Sequence, residues 1–207
     1  KRYMEVRITP KNTDEELRES LFEIIKAIKP CYHDQWSVVL HFIKKRDESY
    51  KAGCMIRHNA LRAEIKQQAF AIYNFRKNAT TKDNLIGKVV GIDAANSESY
   101  TRPEVFAQAF RCLRTHESFR GDLERPDDLH VTYHVGEDFL DIADGLRAVD
   151  EALIFLGLRS GDRLGHALVL GTDIREYYRK RSNTICESKQ VLLDNMAWLH
   201  HQCIRLV

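Results

Sequence analysis

The strongest constraint on this chain is a repeated alternation of short apolar runs with longer amphipathic segments. Lys1 to Thr9 alternates in polarity, with Met4, Val6 and Ile8 on one face and Tyr3, Glu5 and Arg7 on the other, and Pro10 ends it. Thr13 and Glu16 form a capping-box pattern, and Leu17, Leu21, Ile24, Ile25 and Ile28 follow at helical spacing. Trp36 to Ile43 reads as a second strand. Roughly Arg57 to Phe75 reads as a long helix, with Leu61, Ile65, Ala69 and Ile72 on one face. Ile86 to Ile92 is expected to be a third strand. Thr101 and Glu104 then suggest a second capping box, with Pro103 in the first turn of a helix striped by Val105, Phe106, Ala109, Phe110 and Leu113. Leu129 to His134 is a fourth strand, Phe139 to Leu156 an amphipathic helix stopped by Gly157, and Arg163 to Val169 a fifth strand. From Thr172 the pattern is less regular: a basic stretch, Arg175 to Arg181, precedes a helix around Val191 to Leu199.

Strands alternating with long helices imply parallel pairing through crossover helices. Periodicity does not separate a (β/α) barrel from an open doubly wound sheet. No GxGxxG or GxxxxGK[ST] follows a strand, which argues against the nucleotide-binding folds. A chain of 207 residues fits one domain, and no low-complexity segment or linker divides it. Its net charge of +2 gives no sign of an obligate polyanionic partner. The five cysteines, Cys31, Cys54, Cys112, Cys186 and Cys203, are scattered and include no CxxC pair. They suggest neither a zinc ribbon nor a disulfide framework, and fit a reducing cytoplasm. No apolar run approaches the ~20 residues of a membrane span. No signal peptide opens the chain, and its strand-like start at Lys1 does not read as a native N-terminus.

Functional residues of α/β proteins gather where parallel strands end. Three strand ends here are polar: Gly91-Ile92-Asp93 with Asn96, Ser97 and Glu98 beyond it, His134-Val135-Gly136-Glu137, and Asp162-Arg163-Leu164-Gly165-His166. Imidazole is a good zinc ligand, a nearby carboxyl group can move protons, and a second histidine can orient a metal-bound water. Each residue also has a plain structural reading. A histidine ending a strand is usually a satisfied polar group, Asp93 can cap a helix, and Glu137 can sit in a helical first turn where the dipole favours it.

These motifs resemble the adenosine/AMP deaminase family of the metal-dependent amidohydrolases. Tyr3 to Pro10 looks like that family's second barrel strand and Gly91-Ile92-Asp93 like its fourth. His134-Val135-Gly136-Glu137 is similar to the His-Ala-Gly-Glu of the fifth, and Asp162 to His166 to the Arg-Ile-Gly-His of the sixth. The resemblance implies an α/β fold, a (β/α)8 TIM-type barrel of the amidohydrolase kind, present here over about strands 2 to 6. Residues 1-171 would be its central part, and 172-207 a mostly helical, basic extension or insertion within the same domain. It also implies roles: His134 as a Zn2+ ligand, Glu137 as the acid that protonates the purine ring, and His166 as the group that orients or deprotonates the zinc-bound water. Asp93, Asn96 and Gly136 would bind substrate. The reaction implied is hydrolytic deamination of adenosine, an adenosine nucleotide or adenosine in RNA, giving the inosine product and ammonia. The PCxxC signature of the cytidine-deaminase type is absent.

The chain departs from the family in several respects. The family's first-strand His-x-His pair and eighth-strand aspartates have no counterpart in these residues. Asn96 stands where many adenosine deaminases have a substrate-contacting glycine, and Val135 replaces the usual alanine. His134 to Phe139, Asp144 to Arg147 and Gly161 to Gly171 are similar to the large deaminase-like subunits of bacterial phage-defence systems. That likeness implies an antiviral role, a cytoplasmic homo-oligomer and an AAA-type ATPase partner. The alternative is a catalytically silent module kept for assembly or ligand binding. Five strands leave two sheet edges, so the segment is expected to depend on further strands for folding and to bind zinc weakly by itself.

Overall fold

The computed structural model describes residues 2–49, 51, 53, 55–78, 85–115 and 129–206; Lys1, Cys54 and Val207 lie outside the described residues. Five strands, β1 (Met4–Ile8), β2 (Trp36–Ile43), β3 (Val89–Ala95), β4 (His130–Val135) and β5 (Arg163–His166), pair in parallel and in sequence order. The intervening helices are α1 (Asp14–Ala27), α2 (Asn59–Lys77), α3 (Ala107–Thr115) and α4 (Ile142–Phe155). A doubly wound sheet reverses its strand order at a switch point. This sheet shows no reversal and winds in one direction.

The winding is curved. Arg163 on β5 donates to both carboxylate oxygens of Glu5 on β1, at 3.0 and 2.8 Å, although three strands lie between them. In a flat sheet four spacings of about 4.8 Å would hold those strands roughly 19 Å apart, beyond the reach of the two side chains. Arg7 likewise reaches Asp93 on β3 and His134 on β4. Glu5, Arg7, Asp93, His134 and Arg163 therefore occupy the concave face. The parallel register adds Ser37, Val39, His41 and Thr132 to it. The alternate residues, among them Val38, Leu40, Phe42, Ile92, Val131 and Tyr133, are buried under the helices on the convex face.

Helix α1 begins at Thr13, whose hydroxyl accepts from the Glu16 N–H at 3.2 Å; Glu16 in turn accepts from the Asn12 N–H at 3.3 Å. Leu17 and Leu21 are its buried residues. The long helix α2 buries Leu61, Ile65, Ala69 and Ile72, the face anticipated from the sequence.

Several boundaries differ from expectation; the helix expected from Phe139 starts only at Ile142. Ile86–Lys88 form a 3-10 turn, and β3 starts only at Val89, the first residue with a partner on β2, then runs on to Ala95. Thr101 does not cap a helix. Its hydroxyl donates to the Lys45 carbonyl at 2.7 Å and accepts from the Lys45 N–H at 3.1 Å, which engages it with the end of β2. The turn Pro103–Val105 then leads into α3. Strand β5 stops at His166, because His166 and Ala167 take left-handed backbone angles (φ 60° and 48°) and Leu168–Gly171 turn away as a 3-10 helix.

The basic stretch forms α5 (Ile174–Lys180), capped by Asp173, and the chain continues into α6 (Lys189–Arg205), capped by Ser188. Helix α6 lies against α4 through polar contacts: Arg147 Nε donates to Asn195 Oδ1 and Trp198 Nε1 to Asp150 Oδ2, both at 2.8 Å. Among the described residues no helix is long and apolar enough to cross a membrane, and Cys31, Cys112, Cys186 and Cys203 are free thiols.

The convex core is knit by aromatics. Phe110 has no solvent exposure, and its ring centroid lies 5.6 Å from that of Phe42 and 6.1 Å from those of Phe106 and Tyr133. Phe110→Ala in the complete protein is expected to cost about 3–5 kcal/mol, read from urea unfolding. A loss below 1 kcal/mol would mean that this layer does not support the sheet.

Candidate active site

The carboxyl ends of β4 and β5 place three chemically active side chains together. His134, the penultimate residue of β4, faces inward with one fifth of its side chain exposed. Gly136 follows with φ 77°, a conformation that favours glycine, and a Cβ there would meet Val169 Cγ1 at 2.9 Å. This turn brings Glu137 back over the strand end. His166 pairs with Val135, a register that points an ordinary strand residue toward the helices. Its left-handed backbone breaks that rule. Its Nε2 lies 3.0 Å from Glu137 Oε2, and its ring centroid 5.1 Å from that of His134. His134 Nδ1 lies 4.0 Å from Glu137 Oε1. One donor atom from each of His134, Glu137 and His166 falls within 4.8 Å of the others. Two imidazoles and a carboxylate are donors suited to zinc. Gly165 leaves room for the arrangement, since a Cβ there would sit 2.8 Å from His134 Cδ2.

Below this cluster lies Asp93, with no solvent exposure. Its Oδ2 accepts from Arg7 and lies 3.0 Å from His41 Nδ1 and 3.4 Å from His134 Nε2. Arginine only donates, and an ionised carboxylate only accepts, so the hydrogen between His41 and Asp93 belongs on His41 Nδ1. Among the described residues Asp93 Oδ1 is buried without a hydrogen-bond partner. The second site residue on β3's path, Asn96, adopts φ 93°, donates to the Lys44 carbonyl at 3.1 Å and accepts from the Ser97 N–H at 3.0 Å. Its amide is thus engaged with the backbone at the ends of β2 and β3. Glu98 accepts from the Glu137 N–H at 2.8 Å and ties the third strand end to the fourth.

Burial shifts the two central groups in opposite directions. It lowers the His134 pKa, helped by Arg7, His166 and His41 and opposed by Asp93. It raises the Glu137 pKa, helped by Glu98 and Asp138 and opposed by His166 and Lys44. The result favours a neutral imidazole, the form that binds metal, beside a carboxyl group that holds its proton more readily than usual.

His41 and Lys44 are neighbours of the cluster that reading the sequence did not single out. His41 is, with Ser37, one of two polar residues on the inward side of an otherwise apolar β2, a signal that alternation could have exposed. Lys44 carries no local signal, since it looks like one of two ordinary lysines after a strand.

No protein-family model and no curated protein matches the chain. Solved structures do match. One is the adenine deaminase of Arthrobacter aurescens, with 14% identity and a TM-score of 0.45 over 86% of this chain and 43% of that one. The chain thus spans less than half the length of that structure.

The raised Glu137 pKa has a consequence for stability. A carboxyl group whose folded pKa exceeds its unfolded value binds more protons folded than unfolded between the two, so stability falls as pH rises through that window. Glu137→Gln removes this loss. Thermal melts of the complete protein should show the variant at or above the parent near pH 7.5, with the difference closing near pH 4, where the parent side chain is largely protonated in both states. A variant clearly less stable at pH 7.5 would contradict the assignment.

Proposed function

We propose that this chain is the central part of a (β/α)8 barrel that hydrolytically deaminates an adenine-containing substrate: adenosine, an adenosine nucleotide or adenosine in RNA. The observation that carries the reading is the convergence of His134, Glu137 and His166 within 4.8 Å at two adjacent strand ends. In this reading residues 172–207 are a mostly helical, basic extension or insertion within the same domain. A cytoplasmic homo-oligomer with an AAA-type ATPase partner in antiviral defence belongs to the same proposal, on the motif resemblance.

In this reading His134 holds the metal, with the remaining ligands coming from outside the described residues, because catalytic zinc needs about three protein ligands. Zinc held there would supply a water acidified toward neutrality. Glu137, whose pKa burial raises, gives its proton to a ring nitrogen as the amidine carbon becomes tetrahedral. His166, 3.0 Å from Glu137, orients the attacking water and can take its proton. The amino group then leaves as ammonia with the proton His166 took from the water, and the hydroxyl proton returns to Glu137 as the carbonyl forms.

A second reading, a silent module used for assembly or ligand binding, has one observation in its favour. The Arg7 guanidinium lies 3.1 Å from His134 Nε2, a cation on one of the two nitrogens that could bind metal.

The readings part on measurement in the complete protein. The first expects about one zinc per site and ammonia release from adenosine, AMP or ATP, or adenosine-containing RNA. His134→Ala should lose the metal. Glu137→Gln should keep metal and fold while losing at least the ~10²–10⁴-fold typical of general acid–base catalysis, and His166→Ala should lose turnover. A zinc-free protein that releases no ammonia from any of these substrates would leave the silent module standing.

A further inference from the structure

Lys44 has an environment that packing does not explain. Leu40, Phe42 and Lys44 follow one another on the helix-covered side of β2, and Lys44 is 1% exposed. An uncharged Leu or Met would suit such a place, because an ammonium taken out of water must be compensated. Its Nζ lies 4.7 Å over the Tyr133 ring and donates to the His134 carbonyl at 2.5 Å. The ladder between β3 and β4 ends at Ala94–Tyr133, so Lys44 takes the next carbonyl, where strand pairing has stopped. The backbone of Lys44 is itself fixed: its N–H donates to the Ala95 carbonyl at 2.9 Å and its carbonyl accepts from Asn96 Nδ2 at 3.1 Å. One residue therefore joins the carboxyl ends of β2, β3 and β4. The carboxylates of Glu98, Glu137, Asp93 and Asp138 all act on its charge.

We propose that Lys44 is a positioning residue of the site, a buried cation that grips the His134 carbonyl and thereby holds the turn from which Glu137 reaches the cluster. It touches neither substrate nor metal and acts through the backbone of residues 134–137. The effect on turnover rests on the deaminase reading above; the effect on the turn does not.

The test compares Lys44→Met and Lys44→Arg with the parent in the complete protein. Met keeps length and removes charge and donor; Arg restores both. Amide hydrogen exchange of Gly136, Glu137 and Asp138 should quicken at least tenfold in Lys44→Met while Leu40 and Ile92 stay protected. The melting temperature and zinc content should stay near the parent values. The turnover number should fall about tenfold with KM within twofold, and Lys44→Arg should recover part of both the protection and the turnover. Unchanged exchange at 136–138 in a folded Lys44→Met overturns the proposal. Global unfolding of both variants overturns it too, since a positioning role requires the fold to survive. Loosened exchange in a protein whose parent releases no ammonia would keep the positioning role and reject the reaction.

Discussion

The concave face is organised by one buried carboxylate. Asp93 sits at the centre of the sheet, and a charge there is tolerable only if it is paired and hydrogen-bonded. Arg7 from β1, His41 from β2 and His134 from β4 all approach its Oδ2, so a single atom links four of the five strands. Breaking such a buried pair from one side costs far more than the pair contributes in net stability, because the remaining charge is stranded. The interaction therefore does more to define which side chains face each other than to hold the sheet together. The aromatic layer on the other face does that.

The chemistry of the strand ends follows from the same low exposure. Glu137 and His134 lose water together, which raises one pKa and lowers the other. A pair of titratable groups whose surroundings push their pKa values apart is a recurrent arrangement for dividing acid and base roles. Neither Glu137 nor His166 reaches the cluster through strand geometry alone. Glu137 depends on the left-handed Gly136, and His166 on its own left-handed backbone, a conformation disfavoured for a residue with a Cβ. The strained residue lies at the cluster, where a strand continuing to Val169 would have turned the imidazole away.

Much of this was legible in the sequence because two periods dominate it. The period-2 run from Lys1 to Thr9 and the apolar run from Trp36 to Ile43 marked strands that the structure places at Met4–Ile8 and Trp36–Ile43. The three polar strand ends were visible because charged and imidazole groups interrupt Val- and Ile-rich runs. The ends of β3 and β5 were less visible. Apolar residues such as Ile86 and Val169 serve equally well in a turn that packs on the core, so composition does not mark where pairing stops. Thr101 satisfied a helix-capping pattern, yet its hydroxyl bonds the backbone of Lys45, far away in sequence. His41 and Lys44 gain their meaning only from neighbours on other strands, which no local pattern carries.

The curvature bears on what a complete site requires. Strands four places apart in an eight-strand ring stand on opposite sides of its axis, and such a ring is just wide enough for side chains to fill it. Glu5 and Arg163 meet across the concave face from strands so separated, which is the bend an eight-strand ring demands and an open sheet does not. Both residues keep substantial exposure, with side chains 31% and 54% accessible, so the five strands do not seal the interior by themselves. Among the described residues the outer edges of β1 and β5 pair with no strand, an arrangement that accepts further strands. Any strands that closed the ring would end at the same rim as His134 and His166, since parallel strands in a barrel share one carboxyl face. On the proposed reading, closing the fold and adding metal ligands would then be a single event. A metal held by His134 with only Glu137 and His166 beside it would draw on the groups the proposed reaction uses for proton transfer. Donors from the closing strands would leave those two side chains free.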